Sequence, residues 1–179
     1  MRVITGTARG CRLETLEGLD TRPTSERVKE GLFSAISFEI EGRRVLDLFA
    51  GSGQMGIEAI SRGARSCVFV DRSRQAVEVI RRNLKATKLE ASAEVVCRDS
   101  MEYLAHTAGP FDLVFLDPPY ASELLVPCLK QLGSKVATGG TVVCESDRET
   151  QLPETIGAFS LYRSYRYGRV IVRLYREKE

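Results

Sequence analysis

Val45-Leu46-Asp47-Leu48-Phe49-Ala50-Gly51-Ser52-Gly53-Gln54-Met55-Gly56-Ile57-Glu58-Ala59 is an apolar run, a glycine turn and the start of a second apolar segment. Val45 to Phe49 has the length and composition of a buried strand, and a helix is predicted from about Gly53. Gly51, Gly53 and Gly56 stand in G-x-G-x-x-G spacing. Glycines there permit a sharp turn and let a ligand approach the main chain. The pattern alone is shared by every dinucleotide-binding fold. Asp47, four residues before Gly51, narrows the choice. A carboxylate at that strand end repels a pyrophosphate seated on the helix N-terminus and attracts an ammonium group. A ligand with an adenosine and an amino-acid tail suits the loop better than NAD does. S-adenosylmethionine (SAM) is such a ligand, and its expected contacts here are Asp47, Gly51, Ser52 and Gly53.

Working outward, strands and helices alternate. Strands are predicted at 44–49, 66–71, 93–98, 111–116 and 140–145, with helices over 53–62, 73–88, 100–106 and 122–135 between them. In the second helix Val77, Ile80 and Leu84 share the inward face, and Glu78 is spaced to pair with Arg82. The tail reads as two strands, 158–166 and 169–175, joined near Tyr167-Gly168. Strands separated by helices imply a parallel sheet covered on both faces. The predicted fold is α/β, a doubly wound, mostly parallel, seven-stranded sheet. Ahead of it, residues 2–15 form a basic hairpin around Thr7-Ala8-Arg9-Gly10, and residues 20–38 hold a helix with Val28, Leu32, Phe33 and Ile36 on one face. The expected organisation is an extension over 1–19 and a single catalytic domain over 20–179.

A chain of 179 residues with a net charge of +2 and 43% hydrophobic residues has an ordinary globular composition. No apolar run reaches the ~20 residues of a membrane span. The five cysteines are odd in number and lack a C-x-x-C. Cys67, Cys97 and Cys144 lie in apolar runs and are expected to be buried thiols of a reducing compartment, which points to the cytoplasm. With one histidine, His106, the composition argues against a metal site. Basic residues concentrate in the tail, six against two acidic ones from Arg163 onward. Arginine suits phosphate and base stacking better than lysine does. Arg2, Arg9 and Arg12 of the hairpin, Arg22, and Arg166 and Arg169 of the tail are candidate RNA contacts; the alternative is a solvated surface. Tyr165, Arg166, Tyr167 and Arg169 interleave rings and guanidinium groups as a stacking platform would. Removing residues 1–15 is expected to weaken RNA binding and to spare the cofactor.

Asp47, Asp71, Asp99 and Asp117 all fall at or near strand ends, the edge on which such sheets bind ligands. Asp71, 20 residues after Gly51, is placed to accept ribose hydroxyls, with Arg72 beside it; the alternative is a helix cap ahead of Ser73. Asp99 and Ser100 are placed for the adenine, or Asp99 for a helix cap. Asp117-Pro118-Pro119-Tyr120 is the most specific signal. Two prolines hold the chain stiff and offer no N–H, so the Asp117 carboxylate and the Pro118 carbonyl act as paired acceptors for an exocyclic amine. Tyr120 offers a flat face for a base.

Asp-Leu-Phe-Ala-Gly-Ser-Gly (47–53) together with Asp-Pro-Pro-Tyr (117–120) resembles the class I SAM-dependent amino-methyltransferases. Gly-Thr-Ala-Arg-Gly-Cys-Arg-Leu (6–13), Thr-Arg-Pro-Thr-Ser-Glu-Arg-Val-Lys-Glu (21–30), Ser-Arg-Gly-Ala (61–64) and Tyr-Gly-Arg-Val (167–170) resemble the bacterial RsmD family. The resemblance implies methyl transfer from SAM to the N2 amine of a guanine in 16S rRNA. It puts the cofactor on Asp47, Gly51, Gly53, Asp71 and Asp99, and the target base on Asp117 to Tyr120. The implied partner is the small ribosomal subunit or its assembly intermediate; with no obvious apolar patch in the sequence, a monomer is expected. A DNA amino-methyltransferase shares D-P-P-Y, but the chain offers no extra segment for reading duplex sequence. A non-catalytic RNA-binding module would have no use for Asp47 and Asp117.

Overall fold

The computed structural model describes residues 1–16, 26–119 and 123–178. Helix α1 (Glu26–Ala35) and a 3₁₀ turn (Ser37–Glu39) lead into β1 (Arg44–Asp47). Then follow α2 (Gln54–Ser61), β2 (Ser66–Asp71), α3 (Arg74–Thr87), β3 (Ala93–Cys97), α4 (Ser100–His106) and β4 (Phe111–Leu116). The chain ends with α5 (Leu125–Leu132), β5 (Val136–Asp147), β6 (Thr155–Ile156), β7 (Phe159–Tyr167) and β8 (Val170–Glu177). The strands form one sheet in the order β3-β2-β1-β4-β5-β8-β7-β6. β1 to β5 are parallel, and β6 to β8 run antiparallel.

Among the described residues the sheet has eight strands where the sequence predicts seven. The extra one, β6, has two residues, Thr155 and Ile156, set between Pro153 and Gly157, too few to show an alternating pattern. β5 is also longer than predicted, because pairing with β4 continues down to Val136 through a shift in register.

The apolar runs of β1, β2 and β4 are buried along nearly their whole length, as parallel strands with cover on both faces must be. On one face Val45, Leu113, Phe115, Val143 and Leu174 meet α1, α2 and α3. On the other, Leu46, Val114, Leu116, Val142 and Tyr175 meet α4 and α5. Helix α3 starts where the Ser73 hydroxyl accepts the Ala76 N–H, at 3.3 Å. Glu78 stays exposed, while Arg82 reaches away to Glu14 at 2.8 Å instead of forming the expected pair along the helix. Cys67 and Cys144 are buried, but Cys97 is exposed. It closes β3, an edge strand of the sheet that is only partly covered along its length.

Residues 1–16 form a narrow loop closed by a bridge between Arg2 and Arg12. Rather than extending the sheet, this arm lies on α2. Its Thr7 N–H donates to Ser61 O at 2.8 Å, its Ala8 N–H to Ser61 Oγ at 2.9 Å, and Ser61 Oγ donates to Thr5 O at 2.7 Å. Val3, Ala8 and Leu13 are buried in the core shared with α1 and α2.

Candidate functional site

From β1 the chain winds outward through β2 to β3, then crosses back to β4 on the other side of β1. The winding reverses between β1 and β4, and a crevice opens there beyond the strand ends, the place where open α/β sheets bind ligands. β1 runs into the glycine loop and β4 into Asp117-Pro118-Pro119. Asp47 pairs in register with Phe115, so Asp117 lies two residues past that pair, just beyond the end of the adjacent strand. The topology therefore brings the two most telling sequence signals to one crevice.

The glycine loop is braced by three side chains. Gly51 N–H donates to Asp71 Oδ2 at 2.9 Å, Gly56 N–H to Asp47 Oδ2 at 3.1 Å, and Asn83 Nδ2 to Ser52 O at 2.9 Å. Gly51 and Gly53 have φ of 55° and 80°, a region that favours glycine. Gly56 serves another need. A Cβ there would overlap the Phe69 ring and Cys67 Sγ, so only glycine lets α2 press against β2.

Asp47 is buried at the end of β1. Burial pushes its carboxyl up to about 7; the Gly56 N–H opposes the rise and the negative Asp71 adds to it. A buried acid in that state is poised for a cationic partner, which would restore its charge. At the first residue of α2, Gln54 Oε1 is buried with no hydrogen-bond partner among the described residues. Two acceptors of this kind beside a glycine loop fit an ammonium-bearing ligand such as SAM and do not fit a pyrophosphate.

The other acids have structural duties as well. Asp71 accepts Gly51 N–H and, through Oδ1, Ser73 N–H at 2.8 Å. Asp99 is the cap of α4, accepting Met101 N–H at 2.9 Å and Glu102 N–H at 3.2 Å. Asp71 keeps one lone pair on each oxygen for a ligand, and Asp99, whose Oδ1 takes both N–H groups, keeps its Oδ2. Arg72 and Asp99 are exposed, Ser52 is half-buried and Ser100 is buried. Asp117 is half-buried, Pro118 buried and Pro119 exposed. Tyr120, Arg22 and Thr24 lie outside the described residues.

Sequence reasoning missed Asn83. Its signal was an amide on the inward face of α3, between Ile80 and Leu84, where only apolar residues were expected. It also missed Lys29 and Glu58, both fully buried, with Nζ 3.4 Å from Oε2. They fall on the inward faces of α1 and α2 and join those helices to the arm.

A family model described as "Conserved hypothetical protein 95" matches residues 1–176. The chain belongs to that family. It is the RsmD family whose motifs the sequence displays. A Bacillus subtilis relative, "Putative rRNA methyltransferase YlbH", is 41% identical, with 99% of this chain and 100% of that one aligned. "Ribosomal RNA small subunit methyltransferase D" of Escherichia coli is 34% identical over 99% of this chain and 90% of its own. Among solved structures, "Putative methyltransferase yhhF" from Escherichia coli superposes with a TM-score of 0.89 at 33% identity, covering 99% of this chain and 98% of that one. This RsmD-family chain is a SAM-dependent methyltransferase on a Rossmann-like sheet.

In this RsmD-family chain Arg2, Arg9, Arg12, Arg166 and Arg169 are all exposed. Tyr165 and Tyr167 are not the free platform that the sequence suggests. Both pack on the core, and the Tyr167 ring lies where a Cβ on Gly31 of α1 would come within 2.6 Å of it. Alternate β7 side chains face α1, and glycine at 31 makes room for the ring. The β7–β8 turn does sit on the carboxyl edge of the sheet, since Val170 pairs with Asp147 at the end of β5. Among the described residues no group of three or more His, Cys, Asp or Glu side chains could hold a metal ion. No described helix is long and apolar enough to cross a membrane.

Proposed function

We propose that this chain transfers the methyl group of SAM to the exocyclic N2 amine of a guanine in 16S rRNA, presented by the small ribosomal subunit or its assembly intermediate. The observation that carries this reading is the convergence of Asp47 and Asp117 at the reversal between β1 and β4. A cationic cofactor site and an amine-accepting corner there share one crevice. The rRNA substrate follows the relatives, one of which is named as a small-subunit rRNA methyltransferase. On this reading the protein acts in the cytoplasm as a monomer, with residues 1–19 as a basic extension of a catalytic domain over 20–179.

SAM, when bound, supplies a methyl group on a sulfonium, which needs only an aligned lone pair to leave. Asp47 holds the amino-acid end, and Asp71 and Asp99 the adenosine, with Gly51, Ser52, Gly53, Arg72 and Ser100 around it. Asp117 and the Pro118 carbonyl accept the two N–H bonds of the target amine. That contact favours the pyramidal form of the nitrogen and frees its lone pair to attack. With SAM held there, the methyl would pass from the sulfonium to that nitrogen, and Asp117 or water would take up the proton the amine sheds. Tyr120 supplies the stacking face for the base, which must leave its own stack to arrive.

Arg2 and Arg12 line a cleft of about 480 Å³ with Glu26 beside α1, and Arg9 borders an adjoining one. Together with Arg22, Arg166 and Arg169 they are the proposed RNA contacts. The test is transfer of labelled methyl from SAM to naked rRNA, small subunits and duplex DNA, with the modified nucleotide mapped. Label on one guanine N2 of 16S rRNA is expected, and label on DNA alone would replace this reading. Asp117→Ala is expected to lower kcat by ~100-fold or more, the scale of lost positioning, while calorimetry still shows SAM bound.

A further inference from the structure

Asn83 is 1% exposed, and every polar atom of its amide is used. Oδ1 accepts Glu14 N–H at 2.8 Å, and Nδ2 donates to Glu14 O at 3.0 Å and to Ser52 O at 2.9 Å. Pairing with both main-chain groups of Glu14 fixes which way the amide points. Turned over, it would set an oxygen against two carbonyls and an NH2 group against an N–H. The second N–H of Nδ2 is therefore committed to Ser52.

That bond acts on the cofactor loop itself. The Ser52–Gly53 peptide is held at both ends, its carbonyl by Asn83 and its N–H by Ala50 O at 2.7 Å. The Ala50–Gly51 peptide is held by Asp71 through the Gly51 N–H. With both neighbours fixed, the Gly51–Ser52 peptide is presented to the crevice in one orientation. Beside a glycine such as Gly51 a peptide plane otherwise rotates at little cost. We propose that Asn83 is a positioning residue for SAM: it locks the glycine loop in its receptive form and uses the backbone of the N-terminal arm as its brace.

The consequence is separable from general stability. Asn83→Asp keeps the size and the acceptor for Glu14 N–H but, ionised, has no donor for Ser52 O. Asn83→Ala removes all three bonds. Both variants are expected to raise the Kd and KM for SAM about tenfold, the effect of one lost hydrogen bond. Their kcat at saturating SAM should stay within about threefold of wild type, and KM for RNA should not change. Ser61→Ala is the control, since it loosens the arm at Ala8 and Thr5 without touching the loop. It should leave the SAM Kd unaltered. Calorimetric titration of the full-length variants with SAM reads these values, and circular dichroism confirms folding. Wild-type affinity in both Asn83 variants, or equal weakening by Ser61→Ala, would overturn the proposal. Wild-type protein that ignored SAM would instead count against the cofactor assignment, so the two failures are distinguishable.

Discussion

Asp47 accepts the Gly56 N–H at the buried end of β1, and burial lifts its carboxyl from 3.8 to about 7. The sign of the pH dependence follows. Between pH 4 and 7 the folded, ligand-free protein holds a proton that the unfolded chain has released. This contribution to stability is therefore present at the acid end of the window and lost as pH rises through about 7. SAM binding runs the other way, because its ammonium selects the ionised carboxylate. Affinity is expected to hold above pH 7 and to fall below it, approaching about tenfold per pH unit, with a proton released on binding. Calorimetry in buffers of different ionisation heat measures that proton, and Asp47→Asn should abolish it along with most of the affinity. Gly56 makes a different kind of demand. Gly56→Ala forces a methyl into the Phe69 ring and Cys67 Sγ. The expected loss is about 1–3 kcal/mol of stability by overpacking, read as a lower denaturation midpoint.

Between elements, a buried ionic knot in α2 holds the arm. Glu58 accepts Ile4 N–H at 2.9 Å, Thr5 N–H at 3.0 Å and Arg62 Nε at 2.8 Å. Lys29 of α1 lies at 3.4 Å and donates to Arg2 O at 2.7 Å. Burial pushes the Lys29 ammonium down and Glu58 opposes that shift. Removing one member of such a pair strands the other, at a cost of about 3–5 kcal/mol. Glu58→Gln is expected to lower Tm by on the order of 10 °C in a chain of this size, which thermal denaturation followed by circular dichroism would show. The same contacts revise the expectation for truncation. Cutting away residues 1–15 strips Val3, Ala8 and Leu13 from the core and Glu14 from Asn83. Cofactor affinity and stability should fall together with RNA binding, so substitution of the arm's arginines is the cleaner probe of RNA contact.

For the molecule as a whole, a net charge of +2 hides an uneven distribution. Lys29 of α1 reaches the arm at Arg2, and Gly31 of the same helix receives Tyr167 of the tail hairpin. One helix thus links the two basic segments. If Arg2, Arg9 and Arg12 each meet a phosphate of single-stranded RNA, their joint replacement by alanine should reduce the slope of log K against log salt by about 2. RNA affinity measured across a salt series gives that slope, and an unchanged value would place the RNA elsewhere. The chain by itself determined the alternation of strands and helices, the glycine loop, the acids at strand ends and the proline corner, because each is a local pattern of spacing and polarity. The eighth strand escaped it because two residues carry no period. Tyr165 and Tyr167 read as surface, and Asn83, Lys29 and Glu58 went unread, because nothing within a helix or strand announces what will pack against it. Only the tertiary structure decided that Asp47 and Asp117 fall at the ends of neighbouring strands, that the arm lies on α2, and that Asn83 joins the arm to the cofactor loop. Those facts depend on strand order and on contacts between residues 30 to 70 positions apart, where chain connectivity sets no distance and packing does.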